Sequence, residues 1–315
     1  MADVSVIIPT KDRLWALPQA VDSLRQSARD VQIVVADDGS TDGTWDWLQD
    51  QPDVLALQTE GWGKPFAVNR AFREASAPYV RFLDSDDWLP EGALDGQLAL
   101  AEATGADLVV AGYDEYHGDT FTRTSPWVAC DDFIAQQLGE CDSSHYSAFT
   151  FRRDLVDEIP HRSAFAAPRS ATRDDRCFMI EVSLRHPKVA VSPDPGLAHR
   201  HHERGRLQFR PGLGSIATNI QHVLIYRQAL GLLAQRGELT DRRKRAACRV
   251  LWPLAHRLAY THPEDAADLA AWVYELCPDF EPPEGGALGA LYERLGFAAT
   301  ERILRVRRSL LAPFR

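Results

Sequence analysis

The sequence predicts an α/β fold with a mostly parallel central sheet flanked by helices, followed by an α-helical C-terminal region. Three observations carry this. Short apolar, β-branched runs recur through the first 111 residues. Helical stretches of about 10–15 residues separate them, the alternation expected of βαβ units. Beyond Gly214 the strand-like runs give way to segments rich in Ala, Leu and Arg with helical spacing.

Val4-Ser5-Val6-Ile7-Ile8-Pro9 reads as a buried parallel strand. A helix follows, because Leu14, Leu17, Val21 and Leu24 recur three or four apart. Residues 31–36 form the next strand and close on the turn-rich Asp37-Asp38-Gly39-Ser40-Thr41-Asp42-Gly43. A helix over about 43–51 leads to the short strand 54–57, and a helix over 64–76 leads to Tyr79-Val80-Arg81-Phe82-Leu83. That run stops at Asp84-Ser85-Asp86-Asp87; a helix over 91–104 and a strand over 107–111 complete the series. From 112 to 200 the pattern loosens, with short strands near 145–152 and 189–191 around a helix at 175–186. Helices are expected over about 215–236, 240–260, 264–276 and 287–311. Pro211-Gly212-Leu213-Gly214 marks a domain boundary, which gives a first domain over 1–210 and a helical region over 211–315, and Pro282-Pro283-Glu284-Gly285-Gly286 reads as a linker.

Composition narrows the function. A 45% apolar content suffices for a sizeable core. No run approaches the length of a membrane span, and the first residues lack the features of a signal peptide. Five cysteines form no C-x-x-C pair, so no disulfide framework is expected and the expected location is the cytoplasm. A net charge of −10 argues against a nucleic-acid partner. The charge is uneven: from Gly205 onward there are 16 Lys and Arg against 11 Asp and Glu, leaving 19 against 34 before it.

The acidic residues gather where a parallel sheet binds ligands, outside the carboxyl ends of its strands. Asp37-Asp38 closes the second strand, and Asp84, Asp86 and Asp87 close the fourth. An Asp-x-Asp group there offers two hard oxygen ligands that suit Mg2+ or Mn2+ carrying a diphosphate. Acidic residues after strands also serve as turn formers and helix caps.

Position in the chain favours the first reading. Val4-Ser5-Val6-Ile7-Ile8-Pro9-Thr10, Asp37-Asp38-Gly39-Ser40-Thr41-Asp42 and Phe82-Leu83-Asp84-Ser85-Asp86-Asp87 resemble, in order and spacing, the successive signatures of family 2 glycosyltransferases of the GT-A fold, a Rossmann-like architecture. The resemblance covers about residues 3–205. It implies that residues 1–112 hold the nucleotide-sugar and the metal, while 113–210 carry the acceptor side and the base. Pro9, Thr10 and Asp12 at the first strand end, with Asp38, hold the nucleotide, and Asp38 receives the imide N–H of uracil. Lys11-Asp12 stands where the family often has an aromatic and an asparagine. Gly61-Trp62-Gly63-Lys64-Pro65-Phe66-Ala67-Val68-Asn69-Arg70 resembles the family's glycine-containing stretch ahead of a helix, so Lys64, Asn69 and Arg70 join the donor set, with Lys64 or Arg70 neutralising phosphate. Asp84 and Ser85 lie near the ribose, and Asp86, with Asp84, holds the metal. Asp87 is expected to cap the helix after Trp88-Leu89-Pro90.

Arg173-Asp174-Asp175-Arg176 resembles the family's acidic pair at a helix start. It assigns Asp175 as the base that deprotonates the acceptor hydroxyl, with Asp174 replacing the usual Glu; capping of that helix is the alternative. Arg200-x-His202 matches the spacing with which the family often ends its catalytic domain, His202 completing the metal shell or touching the diphosphate. His199, His201 and His202 also raise zinc. Tyr113, Asp114, Tyr116, Trp127, His145 and Tyr146 are acceptor-side candidates.

The resemblance thus implies a metal-dependent, inverting transferase that moves a sugar from a UDP-sugar to a hydroxyl of a glycan, lipid-linked or small-molecule acceptor. A catalytically degenerate binding or scaffold protein is the alternative. A sugar nucleotidyltransferase is disfavoured, because Pro9-Thr10-Lys11-Asp12-Arg13 has no glycine-rich loop. The helical region reads as a cap or homodimerisation unit. Within it Ile303, Val306 and Leu310 share one helical face with interleaved Arg, a pattern that can rest peripherally on an anionic membrane at its inner face.

Overall fold

In a computed structural model, residues 2–161, 174–202 and 213–311 are described, without the side chains of Asp174, 213–218 and 307–311. The chain divides into two units, 1–133 with 142–207 and 134–141 with 208–315.

In the first unit the predicted alternation forms as β1 (Val4–Thr10), α1 (Leu17–Arg25), β2 (Val31–Asp37), α2 (Thr44–Gln49), β3 (Val54–Gln58), α3 (Lys64–Phe72), β4 (Tyr79–Phe82), α4 (Ala93–Thr104) and β5 (Leu108–Val110). Strands β6 (Tyr113–His117) and β7 (Thr120–Ser125) form a hairpin, and the next helix, α5 (Phe133–Leu138), falls from Ile134 onward in the second unit. A 3-10 turn at Tyr146–Ala148 precedes β8 (Thr150–Arg152) and α6 (Arg153–Val156). Then come α7 (Asp174–Ser183), β9 (Val189–Val191) and β10 (Leu197–His201). The main sheet has seven strands in the order β3-β2-β1-β4-β8-β5-β9, with β8 antiparallel to both its neighbours and the other pairs parallel. A second sheet, β10-β6-β7, pairs β10 parallel to β6. All seven residues of β1 are buried, as a central strand covered on both faces requires.

The hairpin and β10 depart from the expected loose stretch. Strand β7 is mostly exposed and β6 half-buried, and both are mostly polar, while β10 holds only Leu197 and Ala198 as aliphatic residues, so all three lack the apolar run by which a buried strand is read. Asp87 also departs from expectation. Helix α4 begins after Gly92 with no side-chain cap, and Asp87 instead accepts from the Arg200 amide at 2.8 Å and faces His199.

Arg81 on β4 is fully buried. Its guanidinium donates to Gln97 Oε1 at 2.9 Å, to the Ser147 carbonyl at 2.8 Å and to the Gly196 carbonyl. Burial without a carboxylate partner pushes its pKa down to about 9. Gly196 fits because a Cβ there would collide with the Ala148 carbonyl. Arg81 therefore fastens together the segment ahead of Asp84, the turn after His145 and the entry to β10. Arg81→Met fills the space but withdraws donors from two buried carbonyls, each costing about 1–3 kcal/mol. The expected loss of unfolding free energy, read by denaturant titration, is on the order of 2 kcal/mol or more. A midpoint unchanged from wild type would refute this role.

The second unit contains α8 (Leu213–Gln235), α9 (Asp241–Ala259), α10 (Pro263–Leu276) and α11 (Gly286–Leu311). Trp252 is its buried hub, ringed by Tyr274, Phe280, Tyr292 and Phe297 at 5.3–5.8 Å between centroids. The last helix is not continuous as expected: Gly296, at φ 74°, breaks it. A left-handed φ at that point suits glycine alone without strain.

Candidate active site

The first strand end and the turn after β2 interlock. Asp12, at φ 51°, donates its amide to Ser40 Oγ at 2.8 Å and accepts from the Thr41 amide at 2.7 Å. Pro9 lies within β1 opposite Ala36. Thr10 is buried at the strand end, its hydroxyl with no hydrogen-bond partner. Asp37 accepts from the Ser40 amide, which holds the turn. Asp38 is buried and accepts three bonds: from Thr59 Oγ1 at 2.7 Å, the Trp62 amide at 2.9 Å and the Gly63 amide at 2.9 Å. A carboxylate offers about four acceptor positions, so Asp38 clamps the 59–63 loop and keeps capacity for one more donor.

The second acidic cluster follows β4. Lys64, at the start of α3, pairs with Asp84 at 2.7 Å and lies over the Tyr146 ring. Asp86 meets His202 Nε2 at 2.9 Å and Arg13 Nε at 3.7 Å. Burial raises the Asp86 pKa, but the His202 hydrogen bond and the Arg13 charge outweigh it and hold the carboxyl well below the usual range. His202 packs edge-on against Trp15, with centroids 4.9 Å apart, and its buried Nδ1 has no hydrogen-bond partner. Asp86 and His202 thus meet across 116 residues of sequence. Ser85 is buried between the two acids.

His199 and His201 share one face of β10, with ring centroids 4.9 Å apart, and His202 follows the strand. His202 turns to Asp86, His201 to Glu115 at 3.4 Å, and His199 Nδ1 to Asp87 Oδ2 at 3.0 Å. Among the described residues the donor atoms of these three histidines do not come together as one group. His199 instead stacks on His145, with centroids 5.0 Å apart. The donor atoms of Asp87, His145 and His199 all lie within 4.8 Å of one another. Burial pushes the His145 pKa down against the raising fields of Asp84, Asp87 and Asp175. Arg200 projects oppositely, between Trp88 at 4.7 Å and Trp15 at 5.6 Å.

Asp175 opens α7 half-buried and accepts the Arg176 amide at 2.8 Å. Asp174 is the first residue of that helix, its side chain outside the described residues. Asn69 clamps the His161 backbone, donating at 2.6 Å and accepting at 2.8 Å. Arg70 pairs with Glu74 one turn on, at 2.6 Å. Among the acceptor-side candidates, Tyr146 is buried in the core and Trp127 packs on Phe149. Tyr113 lies edge-on to His199 at 6.0 Å, and Tyr116 packs on Trp88 at 4.6 Å. Thr124 Oγ1 donates to Asp114 at 2.6 Å.

Sequence reasoning misses Arg81, Arg13, Trp15 and the meeting of His145 with His199. Only Arg81 left a signal, a lone cation inside an apolar strand, which is seldom buried without a purpose.

The family model "Glycosyl transferase family 2" matches residues 5–168, just over half of the chain. A GalNAc(5)-diNAcBac-PP-undecaprenol beta-1,3-glucosyltransferase of Campylobacter jejuni is 36% identical over 101 residues, covering 30% of this chain and 33% of that protein. The chain spans 17–46% of the length of the first curated relatives it matches. Among solved structures, S. aureus TarS 1-349 in complex with UDP-GlcNAc aligns with a TM-score of 0.57 at 17% identity, covering 98% of this chain and 91% of that one. The mannosyltransferase PcManGT from Pyrobaculum calidifontis, in complex with GDP-Man and Mn2+, aligns at 0.52 and 16% identity, covering 97% and 87%. The expected GT-A architecture with a helical C-terminal region is the fold these comparisons support.

Proposed function

This chain belongs to glycosyl transferase family 2, and from that premise we propose that it is an inverting, metal-dependent transferase using a UDP-sugar donor and a hydroxyl acceptor. The observation that carries the reading is the meeting of Asp86 with His202 beside Asp84, at the strand ends where a nucleotide diphosphate binds in such sheets.

Residues 1–112 are read as the donor half. Asp38 supplies the acceptor for a uracil N–H, which distinguishes uracil from cytosine, whose N3 carries no hydrogen. Lys64 faces the diphosphate as a point charge. Asp84, Asp86 and His202 fit a divalent ion, Mn2+ or Mg2+: two carboxylates supply hard oxygens, and the buried His202 imidazole has a nitrogen with no hydrogen-bond partner. When bound, the ion offsets charge developing on the departing diphosphate. Arg13, already 3.7 Å from Asp86, adds positive charge there.

Residues 113–210 are read as the acceptor half. The acceptor oxygen attacks the anomeric carbon as the bond from that carbon to the phosphate oxygen breaks. Its proton passes to the Asp175 carboxylate. Arg70 and Asn69 are left out of this scheme, since Glu74 and His161 hold them.

Thermal denaturation with nucleotide-sugars tests the donor. UDP-sugar with Mn2+ at about 100 times its Kd should stabilise by about 2.7 kcal/mol and raise Tm, with smaller shifts for other nucleotides. No shift with any nucleotide-sugar would overturn the reading.

We further propose that the last helix rests on an anionic lipid surface, which suits a lipid-linked acceptor. Ile303 and Val306 are 46% and 56% exposed, with Arg302 and Arg305 exposed beside them. No helix among the described residues is long and apolar enough to cross a membrane. Glu301 is buried and bonds Tyr292 and His256, so truncation would disturb the fold and substitution is the cleaner test. Ile303→Asp with Val306→Asp should lower recovery with pelleted phosphatidylglycerol vesicles; equal recovery refutes the contact.

A further inference from the structure

The Asp87–His145–His199 cluster does nothing in the transfer scheme. It is built from three separate segments: the loop after β4, the entry to the 3-10 turn and β10. Asp87 is 2% exposed, and its Oδ1 is occupied by the Arg200 amide at 2.8 Å. Its Oδ2 faces His199 Nδ1 at 3.0 Å. A tetrahedral zinc centre with bonds of about 2.1 Å sets neighbouring donors about 3.4 Å apart, so an ion placed between these two atoms asks for only a small widening. The Ser147 amide donates to Nδ1 of His145 at 3.3 Å, and an ion held by either ring nitrogen displaces that long bond, because coordination through Nε2 moves the ring proton to Nδ1. The Arg200 amide on Asp87 Oδ1 is an outer hydrogen bond of the kind that orients a metal-ligating carboxylate.

Burial and His199 disfavour positive charge at His145, and three nearby carboxylates offset part of that cost. Asp84, Asp87 and Asp175 all act electrostatically on His145, and of these Asp84 has Lys64 as a counter-charge. Two imidazoles and one carboxylate form a softer set than Asp84 with Asp86. Nitrogen donors of this type select late first-row ions over Mg2+.

We propose that Asp87, His145 and His199 form a second metal site, for Zn2+ or a similar late first-row divalent ion, separate from the position at Asp84, Asp86 and His202. The ion takes the place of the proton shared by His199 and Asp87, and water completes the shell. The site stands whether or not the chain transfers sugar.

Co2+ serves as the probe, added to the full-length protein in millimolar Mg2+ to fill the harder position. A saturable visible absorption at one equivalent per chain is expected, reversed by Zn2+. His145→Gln and His199→Gln should each weaken binding by about 100-fold or more, beyond the 10–100-fold cost of losing an outer-shell partner. Asp86→Asn and His202→Gln should leave the spectrum in place. X-ray absorption of the wild-type zinc complex, which needs no variant, should show two imidazoles in the first shell. Absence of saturable absorption, a spectrum unchanged in both His145 and His199 variants, its loss in Asp86→Asn, or a zinc shell without imidazole would each overturn the site. Mn2+-dependent donor turnover is read separately, so failure of the transferase reading does not imitate failure of this one.

Discussion

Asp86→Ala is expected to reduce Mn2+-dependent release of UDP from a UDP-sugar by about a thousandfold or more, roughly 4 kcal/mol of barrier. The size follows from what the carboxylate does. It is the partner of His202 at 2.9 Å and of Arg13 at 3.7 Å, so one truncation removes an anionic ligand and releases both neighbours. Of the proposed ligands, Asp84 and His202 remain, and Asp84 is already paired with Lys64. The substitution lies in the loop after β4 rather than in the buried strand, so the native circular dichroism spectrum should be kept. Wild-type protein stripped with EDTA should show the same loss and recover on adding Mn2+. The variant should not recover. Turnover within tenfold of wild type would remove Asp86 from the metal position, and with it the observation on which the function rests.

The parts of the protein legible in its sequence are those where local pattern and burial agree. β1 and β2 are largely apolar runs, and β2 and β4 close on acidic turns, so these strands and turns follow from that pattern. The hairpin β6–β7 and strand β10 were hidden because Tyr113–His117 and Thr120–Ser125 are polar and form a small second sheet. Pairing along that sheet decides which way each histidine points, and a run of His-Arg-His-His does not state its own register. Asp87 was read as a helix cap because the neighbouring residues suit one. A partner 113 residues away took it instead. Asn69 and Arg70 have types that suit phosphate binding, and the fold also gives them partners that spacing does not announce, the His161 backbone and Glu74. Such competition between nearby partners is settled by three-dimensional packing, which spacing does not encode.

Asp175→Asn is expected to slow sugar transfer by about 10²- to 10⁴-fold while leaving UDP-sugar binding unchanged. With the acceptor unassigned, water serves as the accepting hydroxyl and UDP release as the signal. The proton then passes from water to the carboxylate, which an amide cannot accept. Asn is chosen because it separates the two roles open to a carboxylate at the start of α7 (Asp174–Ser183). At a helix N-terminus Asn caps about as well as Asp, so a capping residue would survive the change with nearly full activity. A base would not. Asp175 is half-buried, and its charge acts on His145 together with those of Asp84 and Asp87. Its contribution is therefore expected in kcat, with the donor-induced shift in Tm matching wild type. Full activity of Asp175→Asn would return the residue to a capping role and require the base to be sought elsewhere in the acceptor half. Loss of both activity and the donor shift would place Asp175 in donor binding instead.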